Sequence, residues 1–172
     1  MLLNRMMSIA CIVCLCSCAS EPDIDITSQS LGGSSSSSPP VPAASAGPED
    51  ADAPKEFTTT SSGLKYRILR KSEGRKPTAN PQKSDTVQVH YVGWLDNGTE
   101  FDSSYKRGEP VEFSLNGVIK GWTEGLTYVG EGGMIELEIP SDLGYGPSGS
   151  GGTIPPNATL HFKVELIKIV GQ

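Results

Sequence analysis

Cysteine is confined to one end of this 172-residue chain: Cys11, Cys14, Cys16 and Cys18 are its four cysteines. No disulfide can therefore staple whatever folds downstream, and packing must hold it. Histidine is scarce as well. His90 and His161 are the two present, and each sits in a strand pattern beside polar-phase neighbours, without a partner Ser, Cys or metal-ligand spacing. Both read as solvated strand positions. No run of Lys and Arg offers a phosphate-neutralising face, and a formal net charge of -6 with a pI near 4.9 excludes a nucleic-acid partner. The glycine-rich stretch Gly144 to Gly152 lacks the lysine and the spacing of a phosphate loop. Neither a metal nor a cofactor is expected.

The longest early apolar run, Met6 to Cys16, follows Asn4 and Arg5 and falls short of the roughly 20 residues needed to span a bilayer. It reads as the core of an export signal, with residues 1–17 as signal peptide. A Cys-x-x-Cys inside such a segment would be removed or embedded, which argues against a metal site there. Leu15-Cys16-Ser17-Cys18 resembles the bacterial lipobox, which would make Cys18 a lipid anchor; cleavage after Cys18-Ala19-Ser20 is the alternative, since small residues suit it too. Ala19, in place of the Asp that retains enteric lipoproteins at the inner membrane, points to an outer-membrane lipoprotein facing the periplasm or cell surface.

Residues 18–56 are rich in Ser, Pro, Ala, Gly and acids, including Ser34 to Ser38 and then Pro39-Pro40. Such a segment cannot offset its ordering entropy by burial, so a disordered stalk is expected, spanning on the order of 35 Å as a flexible coil. It has no helical period for a dimerisation stalk, and a monomer is expected. Alternating patterns begin with residues 57–172: Leu64, Tyr66 and Ile68; Val87, Val89 and Tyr91; Val111 to Leu115; Ile135, Leu137 and Ile139. Ile119, Trp122 and Leu126 repeat at helical spacing, and Thr159 to Val170 shifts phase after Leu166, which predicts a bulge. Strands around one short helix make an α+β domain with an antiparallel β-sheet.

With no nucleophile–base pair, what is left is a surplus of Tyr91, Phe101, Trp122, Tyr145, Ile154 and Phe162 at element ends and in loops, with Asp102 directly after Phe101. Aromatics dominate small cores, yet together with Asp102 they also suit an apolar pocket carrying a few polar groups.

Three ordered stretches go further. VHYVGWLDNGTEFDSS (89–104), GVIKGWTEG (117–125) and LGYGPSGSGGTIPPNATLHFKVELIKI (143–169) resemble the FKBP family of peptidyl-prolyl cis/trans isomerases, and SSGLKYRIL with RGEPVEFSLNGVIKGWTEGL resembles its bacterial macrophage-infectivity-potentiator branch. The resemblance implies an antiparallel sheet wrapped around one short helix, with the pocket between them. It implies a floor at Trp122 and walls at Tyr91, Phe101, Val118, Ile119 and Phe162, with Val111 and Ile154 completing the substrate site. Tyr145 matches the Tyr whose hydroxyl holds a substrate carbonyl, and the Ile119 N–H matches the other carbonyl donor. Asp102 matches the pocket carboxylate, oriented by Tyr91 and Arg107. Departures are Val111 where short members carry a wall Phe, Ser150 for a His and Thr153 for an Ile; they bear on affinity for tacrolimus-like macrolides more than on activity. Proline-containing polypeptides are the implied partners. A proline-binding module without turnover and a dimeric surface chaperone are the competing readings.

Overall fold

The computed structural model describes residues 46–72 and 80–170. The signal peptide, Cys18 and the stalk as far as residue 45 lie outside the described residues. The strands are β1 (Thr58–Thr59), β2 (Lys65–Arg70), β3 (Thr86–Leu95), β4 (Glu100–Ser103), β5 (Val111–Ser114), β6 (Met134–Ile139) and β7 (Leu160–Val170). Two helices interrupt them, α1 (Ser104–Arg107) and α2 (Lys120–Gly125), the second continued by a 3-10 turn at Leu126–Tyr128. All pairings are antiparallel, in the order β1-β2-β6-β7-β3-β4, with β5 also on β3.

The alternation in the sequence sets what each face does. Ile135, Leu137 and Ile139 on β6, with Val164 and Leu166 on β7 and Val87 and Val89 on β3, are fully buried toward α2. The helix sits unusually close to the sheet because two glycines one turn apart face it. A Cβ on Gly121 would stand 2.5 Å from Ile139 Cγ2, and one on Gly125 would stand 2.6 Å from Leu137 Cδ2. Trp122, on the same short helix, is thereby pressed inward and is 4% exposed.

The phase shift in β7 is a bulge: Gln88 faces Lys168 and Val89 faces Leu166, so Ile167 is the extra residue and turns outward while Ile169 returns to the core. A second bulge in β2, between Ile68 and Arg70, turns Leu69 into the interior.

Residues 46–56, assigned to the stalk by composition, instead lie on the domain as a strap. The Asp50 N–H donates to Leu69 O at 2.8 Å, the Lys71 N–H to Asp50 Oδ2 at 2.8 Å, and Lys163 Nζ to Glu49 Oε1 at 2.5 Å. Arg70 donates to Pro48 O and Arg67 to Lys55 O, while the Arg67 guanidinium also rests on the Phe57 ring. Composition counts the acids of this segment as solvated; the fold brings Lys163 of β7 to Glu49 and Lys71, just past β2, to Asp52, while the arginines of β2 hold the strap by its backbone carbonyls. Beneath the strap, Glu136, its side chain 4% exposed, accepts from both Nε and Nη2 of Arg67, at 2.8 and 2.7 Å. The strap runs on the sheet face opposite α2, because Lys163 follows inward-facing Phe162 and successive strand residues point to opposite faces.

Candidate functional site

Between the sheet and α2 opens a cavity of about 690 Å³. Its floor is Trp122, against which three rings stand edge-on: Tyr91 at 5.2 Å and 85°, Phe113 at 5.3 Å and 83°, and Phe162 at 5.2 Å and 81° between centroids and planes. Phe101 meets Phe162 in the same manner at 5.4 Å. Edge-to-face packing of this kind fixes every ring through its neighbours and holds the cavity open rather than letting it collapse.

The sequence explains how these rings converge. Tyr91 and Phe162 belong to the paired β3 and β7, Phe101 to β4, Phe113 to β5 and Trp122 to α2. Val118 and Ile119 lead into α2, and Ile119 caps it without a side-chain bond, so the start of that helix carries amide groups free of intrahelical partners. Across the opening, the glycine-rich loop supplies Tyr145, Ser150, Gly151, Thr153 and Ile154. Mutual backbone bonds between Ser150 and Ile154, at 3.0 and 2.9 Å, pinch this loop, and Gly149 makes the pinch feasible. Its φ is +61°, and a Cβ there would lie 2.2 Å from Ile154 O. Tyr145 is 42% exposed at the mouth.

One charged group reaches the cavity wall. Asp102 Oδ2 accepts from the Tyr91 hydroxyl at 2.5 Å, Asp102 Oδ1 accepts from Arg107 Nη1, and Arg107 Nη2 donates to the Tyr91 oxygen at 2.8 Å. Burial opposes ionisation of Asp102, but the bonds from Tyr91 and Arg107 and the guanidinium charge outweigh it and hold its carboxyl below the ordinary carboxylate value. Burial first, and then the bond to Asp102, push the Tyr91 phenol up to about 12. The group is thus a closed ring of bonds with a fixed negative carboxylate and a neutral phenol.

Tyr91, Asp102, Tyr145, Trp122, Phe162, Phe101, Val118, Ile119 and Ile154, the residues expected at the pocket, all line this cavity. Arg107 is placed behind the wall, on Asp102 and Tyr91. Val111 does not reach it: paired with Val89, it packs on the core, and two residues along the same strand face Phe113 provides the aromatic wall instead. The alternation within β5 was the available signal for Phe113. His161 is not solvated as expected, and His90 is partly exposed. His161 is 5% exposed, with Nε2 2.7 Å from Asp96 Oδ1 and its ring on Trp94, and His90 lies on Tyr105 with Nδ1 3.0 Å from Ser104 Oγ. Among the described residues, no group of three or more His, Cys, Asp or Glu has the geometry to hold a metal ion, and no helix is long and apolar enough to cross a membrane.

The model of the FKBP-type peptidyl-prolyl cis-trans isomerases matches residues 78–167, just over half of the 172-residue chain. The chain belongs to that family. It is 53% identical over 115 residues to a probable FKBP-type peptidyl-prolyl cis-trans isomerase of Haemophilus influenzae, covering 67% of this chain and 46% of that one. It is 49% identical over 111 residues to the peptidyl-prolyl cis-trans isomerase Mip of Coxiella burnetii, covering 64% and 46%. The crystal structure of FkpA from Escherichia coli superposes with a TM-score of 0.62 at 50% identity, covering 67% of this chain and 52% of that one. The FKBP-like fold, an antiparallel sheet around one short helix, is common to both. The chain spans about half the length of these relatives.

Proposed function

We propose that this FKBP-family chain catalyses cis/trans rotation about X-Pro peptide bonds, assisting the folding of exported polypeptides. The observation that carries the reading is the cavity itself: five aromatic residues around a concave apolar space, one fixed carboxylate, and Tyr145 with the start of α2 as donors at the rim. Rotation needs no nucleophile. The barrier, about 18–20 kcal/mol, comes from amide resonance, whereas the two X-Pro isomers differ by only about 0.5–1 kcal/mol. Twisting the bond removes the resonance and much of the amide's polarity, so a dry aromatic cavity that binds the twisted form better than the planar form lowers the barrier. In this reading Trp122 is the floor for the proline ring, and Tyr91, Phe101, Val118, Ile119, Ile154 and Phe162 enclose it. Tyr145 and the Ile119 N–H hold the flanking carbonyls, while Asp102, set by Tyr91 and Arg107, supplies the charge. The same cavity would take tacrolimus-like macrolides.

The proposal extends to placement: a lipoprotein of the macrophage-infectivity-potentiator type, monomeric, exported and held at the outer membrane through Cys18. The short apolar run and Leu15-Cys16-Ser17-Cys18 support it.

The test is the cis-to-trans rate of a short X-Pro peptide with the full chain and with Tyr145→Phe, Asp102→Ala and Trp122→Leu. Acceleration that falls about tenfold or more in the last two, the loss of about 1.4 kcal/mol or more of transition-state binding, is the expected outcome. A folded protein giving no acceleration overturns the enzyme reading in favour of a proline-binding module.

A further inference from the structure

Tyr91 sits where β3 changes partners. Its ladder with β4 runs through Gly93–Asp102 and Val92–Ser103. The next rung would set Tyr91 against Ser104, but there the chain has already turned into α1. A side chain takes over the missing rung. The Tyr91 N–H donates to Ser104 Oγ at 2.8 Å, and Ser104 Oγ donates back to Tyr91 O at 3.2 Å, so one hydroxyl serves both backbone groups that a strand neighbour would otherwise pair. Ser104 is fully buried, which leaves no water to replace it. It lies outside the cavity lining, yet it grips the two ends of the Asp102 ring of bonds. It is bonded to the backbone of the residue whose phenol meets Asp102, and it is the first residue of α1, the turn that Ser103 caps and that carries Arg107.

We propose that Ser104 is a positioning residue for the cavity carboxylate, acting on Asp102 through Tyr91. Its effect on turnover rests on the proposed isomerase function; its effect on Tyr91 does not.

The experiment labels the full chain with 3-fluorotyrosine, which gives one fluorine resonance for each of the five tyrosines, Tyr91 being assigned by its loss in Tyr91→Phe. In Ser104→Ala the Tyr91 resonance is expected to shift and broaden while those of Tyr66, Tyr128 and Tyr145 stay in place. In the peptide assay kcat is expected to fall about fivefold to tenfold with KM within about twofold, and the same substitution in a Tyr91→Phe background to cost less than about twofold. An unmoved Tyr91 resonance, or an equal loss in both backgrounds, overturns the proposal. Should Ser104→Ala not fold, Ser104→Cys, which keeps a weak donor and acceptor at the same place, is read in its stead, with the same two criteria. If the unsubstituted chain gives no acceleration, the isomerase reading fails, and the fluorine spectra still decide the role of Ser104.

Discussion

Asp102 and Glu136 are both carboxylates bonded to an arginine, and they answer to different tests. Asp102 is held below its ordinary value in the native state, so its contribution to stability is complete above the unfolded carboxylate range and is lost as pH falls through the depressed native value. Thermal melts of the unsubstituted chain and Asp102→Asn are therefore expected to differ at neutral pH and to converge as pH falls below the unfolded carboxylate value of about 4. Glu136 is the buried one. Removing its partner with Arg67→Ala strands a negative charge beneath the strap and is expected to cost about 3–5 kcal/mol in denaturant unfolding, whereas replacing both with leucine is expected to recover most of that loss. A single variant as stable as the parent would show that water reaches Glu136.

At the scale of elements, the closeness of α2 to β6 is set by two glycines, so Gly121→Ala, driving a methyl into Ile139, is expected to destabilise by about 1–3 kcal/mol in denaturant titrations. Lys120→Ala, exposed on the same helix, is expected to change stability by less than about 0.5 kcal/mol. The strands and this helix were legible because their apolar periods are clean, and even the β7 bulge showed as a phase shift after Leu166. What was not legible depended on partners distant in sequence. The strap reads as a solvated acidic linker until Arg70, Lys71 and Lys163 are brought to it. His161 reads as polar phase until Trp94 and Asp96 cover it. The site followed the same division: the residues in the three motif stretches came together in the cavity, whereas in the β5 segment outside them Val111 was expected and Phe113 does the work.

For the molecule as a whole, the described domain contains no cysteine, so its unfolding midpoint is expected to be unchanged by a thiol reductant, as calorimetry with and without dithiothreitol would show. Its central pairings, β3 with β7 and β2 with β6, join segments some 70 residues apart, and refolding is expected in milliseconds to seconds rather than microseconds by stopped-flow fluorescence of the buried tryptophans. The strap gives this architecture a mechanical property. It is tied to the end of β2 by Asp50 at Leu69 and leads into the β1–β2 hairpin, with Thr58 at Tyr66 and Thr60 at Leu64, so that its open end is the one nearer residue 46. A pull applied there loads the rungs one after another, as in opening a zipper, instead of shearing them together. Tension on the preceding chain is spent in peeling the strap from the back of the sheet, and Tyr91, the first cavity residue in sequence, is shielded from the load until the hairpin has opened.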